Sequence, residues 1–226
     1  MLPVQLYNTK PGLHVQRGIV NSFSVDKASN NKRQLFIDAT IWSLAEHGYK
    51  ATTVRQIASV AGVTPGLLTH YFTGKEELIA ESYKYLAKKF LDVFEARTQG
   101  SSAKPLVAMR TFISATFEPD NLEPKLLKIW LSFWSLTLSE PELAHIHRET
   151  YQRYVDALAD MLTAAYGEAS VVVASDKIKA QAIGINALLD GMWLEWCLNP
   201  ETFSPAEGLE IVYDFLEATT NLEVRA

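Results

Sequence analysis

Apolar residues recur at helical spacing along most of the chain. From Asn31 onward they fall at positions i, i+3, i+4 and i+7, and no stretch alternates apolar and polar residues for long enough to predict a strand. Glycines and prolines separate the successive segments. The pattern predicts nine helices, at about residues 31–47, 53–60, 65–71, 75–97, 103–117, 124–138, 141–165, 175–198 and 205–219. We therefore expect an all-α protein, in which the valine-rich run at 170–175 is a connection.

The same pattern divides the chain into three parts. Residues 1–28 show no periodicity and contain several prolines and glycines, which predicts a flexible N-terminal extension. Residues 29–74 contain the first three predicted helices, which are short enough to form one compact unit. Residues 75–226 contain the remaining six helices and form a larger helical domain.

Residues 52–72 carry the signals of two short helices joined by a tight turn. Thr53, followed three residues later by Gln56, is a capping box that begins the first helix. Gly62 allows the left-handed conformation that such a turn needs. Thr64 followed by Pro65 begins the second helix. The two helices can pack closely through a stripe of small and apolar residues, namely Ile57, Ala58 and Ala61. This spacing is typical of a helix-turn-helix.

The second of these helices has the composition of one that enters the major groove of DNA. Its exposed residues are short and polar, so the bases can come close to it. Lys75 lies in the first turn of the next helix, where the helix dipole disfavours a cation unless a DNA phosphate binds there; simple solvation of Lys75 is the alternative. Phe72 is expected to anchor the core. We predict DNA contacts from nine residues: Thr53, Arg55, Thr64, Pro65, Gly66, Thr69, His70, Tyr71 and Lys75.

The distribution of charge permits DNA binding at the N-terminal end. The chain of 226 residues has a net charge of −5. Residues 1–80, however, contain eight Lys or Arg and five Asp or Glu, a balance of +3, whereas the rest of the chain balances to −8. A local basic surface matters more than the total charge for phosphate contacts. The first 28 residues are either an unstructured tail or a basic arm that reaches the minor groove with Lys10, Arg17 or Lys27.

Composition argues against several other classes of protein. The single cysteine, Cys197, leaves no internal disulfide and no multi-cysteine metal site. No apolar run approaches the roughly 20 residues of a membrane span, and the N-terminus lacks the apolar stretch of a signal peptide, so we expect a cytoplasmic protein without a membrane partner. His145 and His147 would face different sides of a helix and make a poor metal pair. The chain has no nucleophile elbow, phosphate loop or HExxH motif, so we expect no enzyme and no cofactor.

Residues 31–80 resemble the DNA-binding region of the TetR family of transcription regulators. The resemblance rests on residues 53–58, 61–63, 70–72 and 75–78. It departs at Thr69, where most members have tyrosine and the choline-responsive BetI branch more often has a small hydroxyl residue. Segments 125–134, 140–147 and 187–194 also resemble that branch. The resemblance implies nine helices, a homodimer built on a bundle of the last two, and a repressor released from its operator by choline. Its expected targets are genes for choline uptake and oxidation to glycine betaine.

Four of the five tryptophans lie in two helical clusters. Trp130 and Trp134 share one helix face with Phe133, and Trp193 and Trp196 are spaced by one turn. Asp190 lies one turn before Trp193 on an otherwise apolar helix, where a carboxylate needs a partner. Aromatic faces beside a carboxylate are suited to a quaternary ammonium ion. The resemblance to the BetI branch favours this interpretation, with a predicted ligand-binding set of Trp130, Phe133, Trp134, Asp190 and Trp193.

Other interpretations of these residues remain open from the sequence. The tryptophans can be ordinary core residues, and Phe117 and Phe133 are weaker candidates for ligand contact. Asp190 can pair with an arginine or lie at a dimer interface; the candidate partners are Arg110, Arg148 and Arg153. The protein can also be a TetR-type regulator of another ligand, such as a lipophilic drug or a different amine, or a helical protein-interaction module that does not bind DNA.

The last two predicted helices are expected to bury an apolar seam against a second copy of the chain. Neither helix alone could cover such a face, so a symmetric partner is the natural cover. Gly184 and Gly191 lie seven residues apart on one helix and suggest a close helix crossing. The predicted members of the interface are Ile183, Ala187, Gly191, Leu209, Val212, Phe215 and Leu216.

Overall fold

The computed structural model of the chain describes residues 31–99, 104–118, 121–122 and 124–225. These residues form nine α-helices and no strand. The helices are α1 (Lys32–Ala51), α2 (Val54–Ala61), α3 (Pro65–Tyr71), α4 (Lys75–Gln99), α5 (Pro105–Thr116), α6 (Pro124–Thr137), α7 (Pro141–Glu168), α8 (Ser175–Leu198) and α9 (Pro205–Thr220). The all-α prediction is confirmed, and each predicted helix is present within a few residues of its expected ends. The predicted extension at residues 1–28, with Lys10, Arg17 and Lys27, lies outside the described residues.

Local signals explain where several helices begin and end. The Asn31 side chain accepts a hydrogen bond from the backbone N–H of Gln34 and caps α1. Ser204 and Glu207 form a reciprocal capping box at the start of α9. Gly48, expected to stop α1, has a left-handed φ of 71° and breaks the regular helix, which then continues for a short turn to Ala51. Residues 171–174 connect α7 and α8 without helix or strand, as predicted.

Two hydrophobic clusters hold the helices together. The first joins α1–α4 to α6, through fully buried residues such as Leu44, Ile57 and Leu86. The second joins α5, α7, α8 and α9, through residues such as Met109 and Ile185. Each fully buried Leu or Ile contributes about 1.5–3 kcal/mol to stability. Because α6 packs against both α1 and α7, it connects the N-terminal helices directly to the C-terminal ones.

Two residues of the predicted dimer seam belong instead to the core of the single chain. Val212 and Leu216 have an exposed fraction of 0% and pack in the second cluster, against residues of α5, α7 and α8. Both lie on the inner face of α9, so they have no surface to offer a second copy. Their assignment to the interface is therefore corrected. An apolar helix position facing its own chain cannot be told from one facing a partner by sequence spacing alone.

The other members of the predicted seam keep exposed surface, fully or in part: Ile183, Ala187, Gly191, Leu209 and Phe215. Ile183 and Phe215 are large apolar residues that remain 40% and 39% exposed. The close crossing expected at Gly184 and Gly191 is not formed within the chain. A Cβ at Gly191 would meet no atom within 4 Å, and one at Gly184 would meet only the Phe215 ring, at 3.9 Å.

Among the described residues, no helix is both long enough and apolar enough to cross a membrane. The same residues contain no group of three or more His, Cys, Asp or Glu side chains that could hold a metal ion.

Candidate functional site

The turn between α2 and α3 is built by local interactions. The Thr53 hydroxyl accepts a hydrogen bond from the N–H of Gln56, 3.2 Å away, at the start of α2. Gly62 ends that helix with φ 71° and ψ 33°, and Val63 N–H then donates to the carbonyl of Ala58 at 3.0 Å. This pair of features is a Schellman-type helix end, which only a residue that tolerates the left-handed region forms without strain. The Gln56 side chain returns no hydrogen bond, and its Oε1 is buried without a partner among the described residues, so only half of the predicted capping box is formed. The turn itself is encoded by residues close together in the sequence.

Helix α3 is anchored by Leu68 within it, by Phe72 directly after it and by the half-buried Leu67, and it exposes its other residues. Leu68 and Phe72 are buried, at 0% and 2% exposure, which confirms the core role expected for Phe72. Thr64 occupies the position before the helix, but its hydroxyl makes no capping hydrogen bond; only its carbonyl accepts, from Leu67 N–H at 3.1 Å. The structure thus corrects the expected side-chain cap. Eight of the nine predicted DNA-contact residues are exposed: Thr53, Arg55, Thr64, Pro65, Gly66, Thr69, His70 and Tyr71.

Gly66 lies at the centre of this exposed surface. A Cβ built on it would meet nothing within 4 Å, so the packing of the chain does not require glycine there. The Thr69 hydroxyl donates to the Gly66 carbonyl at 3.0 Å, which holds the threonine side chain back against its own helix. The result is a low, polar surface at the start of α3, the shape that a base edge in the major groove needs.

Lys75, the ninth predicted DNA contact, is held by the end of α1. Its Nζ donates to the Tyr49 carbonyl oxygen at 3.0 Å and lies 3.7 Å from the centre of the Tyr49 ring. Burial lowers the pKa of Lys75 from its usual range. The carbonyl and the ring compensate the unfavourable dipole at the start of α4. Lys75 therefore has a structural partner that the sequence did not reveal, and its contact with phosphate stays a prediction.

A partly open cavity of about 140 Å³ lies between α4, α5, α6, α7 and α8. Four of the five predicted ligand-binding residues line it: Trp130, Trp134, Asp190 and Trp193. Phe133 does not; it is fully buried beneath the lining, where its ring stacks on that of Tyr83 with centroids 4.6 Å apart. The placement of Phe133 in the predicted set is thus corrected. Phe117 is also buried in the core and does not line the cavity.

The three tryptophans form a continuous aromatic wall. Trp130 and Trp134 have ring centroids 6.1 Å apart, and Trp134 meets Trp193 edge to face at 6.2 Å. Trp193 is fixed from behind, because its Nε1–H donates to the Asn121 carbonyl oxygen at 2.6 Å. Two faces of the wall come from α6 and one from α8, so the wall depends on how these helices pack.

Asp190 supplies the carboxylate of the cavity. It lies where the exposed face of α8 meets the lining, and Asn186, one turn earlier, donates to its Oδ2 at 3.1 Å. No arginine or lysine among the described residues forms an ion pair with it, so the arginine pairing considered from the sequence is not formed. Burial raises the pKa of Asp190 to about 6, against the lowering effect of the Asn186 hydrogen bond. At pH 7 the carboxyl group is therefore mostly ionised, and the part of the chain that the structure describes supplies no counter-charge to it.

The cavity also contains residues that sequence reasoning missed. Tyr83 comes from α4, and Tyr154 and His147 come from α7. A hydrogen bond of 2.9 Å joins the Tyr83 hydroxyl to His147 Nδ1. Burial raises the pKa of both tyrosines and lowers that of His147, so all three are uncharged at neutral pH. The sequence-based predictions include His147 only as half of a poor metal pair and leave out the two tyrosines, because nothing in the sequence shows that these helix positions border a cavity.

Comparisons with known proteins agree with this arrangement. Residues 36–81 match the bacterial regulatory proteins of the tetR family, and residues 105–221 match the C-terminal domain of BetI-type transcriptional repressors. The transcriptional regulator BetI of Serratia proteamaculans is 28% identical over 186 residues, which cover 82% of this chain and 90% of that protein. The BetI of Paraburkholderia xenovorans is 27% identical over 187 residues, 82% of this chain and 92% of its own length.

Solved structures show the same fold. A transcriptional regulator from Pseudomonas aeruginosa PAO1 is 30% identical with a TM-score of 0.77, over 86% of this chain and 92% of its own. A regulator from Saccharomonospora viridis, solved in complex with choline, is 18% identical with a TM-score of 0.68, over 84% and 97% of the two chains. These relatives are transcription regulators and not enzymes, and a module without DNA binding is no longer a viable interpretation. The chain therefore belongs to the TetR family of bacterial regulatory proteins and is a BetI-like, DNA-binding transcriptional repressor.

Proposed function

We propose that this repressor acts as a homodimer and leaves its DNA operator when choline or a related quaternary ammonium ion binds the aromatic cavity. One observation carries the proposal. No cationic side chain among the described residues pairs with the Asp190 carboxylate, which lies on the same lining as Trp130, Trp134 and Trp193. Through its relation to BetI repressors, we infer that the operators control choline uptake and oxidation to glycine betaine, and that the protein works in the cytoplasm.

The chemistry of the lining supports a cation without N–H groups. A trimethylammonium group cannot donate a strong hydrogen bond, so an ordinary polar pocket offers it little. Each aromatic face it contacts contributes about 0.5–2 kcal/mol when the contact is desolvated. The carboxylate supplies the charge that the aromatic faces lack. Cation binding in turn compensates the desolvation of Asp190 on the side that faces the cavity.

The choline complex of the Saccharomonospora viridis regulator adds support of a different kind. It shows that a protein with this fold holds choline. Because the identity with that regulator is only 18%, the transfer of its ligand to this chain rests on the lining described above and not on the similarity itself.

Two helices offer routes by which ligand binding can reach the DNA-binding unit. Helix α4 carries Lys75 at its start and Tyr83 in the cavity, eight residues or about 12 Å further along the axis. Helix α6 carries Trp130 and Trp134 and packs against α1. A ligand that fits only one arrangement of these helices shifts the population towards it. Residues 29–74 are thus the proposed DNA-binding domain and residues 75–226 the proposed ligand-binding and dimerisation domain.

A homodimer would present two copies of α3, one from each subunit, on the same face of the dimer. The exposed apolar residues of α8 and α9, with Ile183 and Phe215 the largest of the predicted set, form a surface that a second copy could cover. In such a dimer the two recognition helices would enter successive major grooves, separated by about one helical turn of roughly 34–36 Å or a multiple of it. The operator would then be close to palindromic.

A second ligand class is favoured by the same lining. Phe90 and Phe112 extend the aromatic surface beyond the three tryptophans. Such a surface also suits a lipophilic amine or a cationic drug, whose charge would meet Asp190. Calorimetry on a panel of cations distinguishes these ligands from choline.

Isothermal titration calorimetry of the full chain with choline tests the proposal. We expect saturable binding, which Trp134→Ala weakens at least several-fold through the loss of one aromatic face. Trp42→Ala is the matched control, because Trp42 lies in α1 against His47 and outside the cavity. Choline should also quench tryptophan fluorescence more than glycine betaine does, since Asp190 would repel the carboxylate of betaine. Absence of choline binding at millimolar concentration would overturn the ligand proposal and leave the repressor assignment standing.

A further inference from the structure

Most polar groups on the cavity lining already have partners within the chain. The Thr150 hydroxyl donates to the Ile146 carbonyl at 2.8 Å, and the Asn121 amide donates to the Ala115 carbonyl at 2.6 Å. The Asn186 amide donates to Asp190. These groups are held in place and are poorly suited to recognise the polar end of a ligand.

The Tyr83 hydroxyl is different, because it is fixed in position and keeps accepting capacity. The residue is 1% exposed, its ring stacks within 5° of parallel on Phe133, and Trp130 meets the ring edge-on at 5.7 Å. The hydroxyl lies 2.9 Å from His147 Nδ1. A phenol is the stronger acid of the two neutral groups, so it donates to the imidazole, and its oxygen then accepts from other donors. Trp134 also lies beside that oxygen, and its indole N–H can occupy one of the two lone pairs, which leaves the other for a ligand.

The Tyr83 phenol and the Asp190 carboxylate share one cavity, so one small ligand can contact both. Both line a cavity of about 140 Å³. The negative charge of Asp190 contributes to the raised pKa of both Tyr83 and Tyr154, which line the same cavity. Because Asp190, the three tryptophans and Tyr83 line one cavity of this small volume, a ligand that fills it can contact the carboxylate and the phenol at the same time.

We propose that the phenol–imidazole pair, Tyr83 and His147, recognises a hydroxyl group at the other end of the cationic ligand. This inference rests on the proposed quaternary ammonium site. It adds which functional group the site selects at the end of the ligand opposite the ammonium. An alcohol donates to the Tyr83 oxygen, whereas a methyl group cannot. A carboxylate has no proton to donate, and its charge would repel Asp190. The cavity thus selects a hydroxyalkyl ammonium ion over its alkyl and carboxylate analogues.

A pair of isosteric ligands tests this inference. Choline and n-propyltrimethylammonium share the same head and differ only by a terminal hydroxyl in place of a methyl group. For the natural chain, calorimetry should show choline binding about 3- to 10-fold tighter, the effect of one neutral hydrogen bond. In Tyr83→Phe the stacked ring is kept and the hydroxyl is lost, so the ratio of the two affinities should fall to about one. His147→Gln, which keeps a hydrogen-bond acceptor near the phenol, should retain most of the preference.

The outcomes separate the two proposals. Equal affinities in the natural chain, or an unchanged ratio in Tyr83→Phe, would overturn hydroxyl recognition while leaving the ammonium site intact. If neither ligand binds the natural chain, the ammonium site itself is wrong and hydroxyl recognition fails with it. Binding of n-propyltrimethylammonium by Tyr83→Phe shows that the variant still forms the cavity.

Discussion

Lys75 at the start of α4 is held by Tyr49 at the end of α1. The ammonium nitrogen lies 3.0 Å from the Tyr49 carbonyl oxygen and 3.7 Å from the centre of its ring. The contact joins α4, which extends from the helix-turn-helix to the aromatic cavity, to α1. It also places a cation at a helix N-terminus, beside backbone N–H groups that attract phosphate.

Replacement of Lys75 by alanine separates a DNA-contact role from a purely structural one. If Lys75 contacts a phosphate, Lys75→Ala should weaken binding to all DNA sequences and lower the slope of log affinity against log salt by about one unit. Lys88→Ala is the control, since Lys88 lies on the same helix but pairs with Asp92. A fall in melting temperature with an unchanged salt slope would mean that Lys75 serves only the contact with Tyr49.

Gly66 offers a second test of the DNA-binding surface. A methyl group at this position meets no protein atom, so Gly66→Ala should be folded and slightly more stable, by about 0.5–1 kcal/mol. The same methyl would stand between α3 and the bases, so operator affinity should fall at least several-fold in fluorescence anisotropy titrations. Gly167→Ala, at an equally open helical glycine in α7, should leave DNA binding unchanged. Full operator affinity in Gly66→Ala would show that α3 does not approach the bases here.

The proposed dimer depends on the exposed face of α8 and α9. Ile183→Glu places a charge at a residue that is 40% exposed in the single chain, so it should cost little unless a partner covers it. We expect this variant to sediment as a monomer at micromolar concentration and to lose operator binding. Leu138→Glu changes a more exposed apolar residue away from that face and should remain dimeric. A natural chain that sediments as a stable monomer would contradict the proposal directly.

The charge on Asp190 should set both ligand affinity and stability. Because burial raises its pKa to about 6, choline affinity should fall as the pH is lowered through 6 and the carboxylate becomes protonated. The folded state binds this proton more tightly than the unfolded chain does. The protonated carboxyl group therefore contributes to the free energy of unfolding at low pH. This contribution is lost as the pH rises through about 6 and the group ionises in the folded protein.

Asp190→Asn removes this titration. At pH 7.5 and without ligand, the variant should melt at a higher temperature than the natural chain, and it should bind choline weakly at every pH. Asp160→Asn, at an exposed position of α7 outside the cavity, is the control. A natural chain whose choline affinity is constant between pH 5 and pH 8 would exclude Asp190 as the counter-charge.

Local chemistry explains why much of the fold could be predicted. Thr53 with Gln56, and Gly62 with its positive φ, act within a few residues of the chain, so their sequence spacing specifies the helix-turn-helix. Trp130 and Trp134 were found because they lie one turn apart, and Asp190 because a carboxylate on an apolar helix needs an explanation.

Most of the residues that the sequence-based predictions missed or placed wrongly share one reason, which is that their surroundings depend on how distant helices pack together. Tyr83 and His147 lie 64 residues apart in the sequence, and only the packing of α4 against α7 brings their side chains together. Phe133, Val212 and Leu216 lie on apolar helix faces as predicted, but such a pattern does not distinguish a face towards the core from one towards a cavity or a partner. Thr64 stands at the expected cap position, yet its hydroxyl orientation depends on the rotamer and not on the sequence.

An operator-release experiment tests the central claim most directly. The natural chain is bound to the DNA upstream of its own gene, choline or glycine betaine is added, and the bound fraction is followed by mobility shift, with Asp190→Asn and Trp134→Ala alongside. We predict that choline releases the natural repressor at concentrations where glycine betaine does not, and that both variants stay bound. Because coupling is reciprocal, operator DNA should weaken choline binding by the same factor. A natural complex that remains intact at millimolar choline, or an Asp190→Asn complex released as readily as the natural one, would contradict the account.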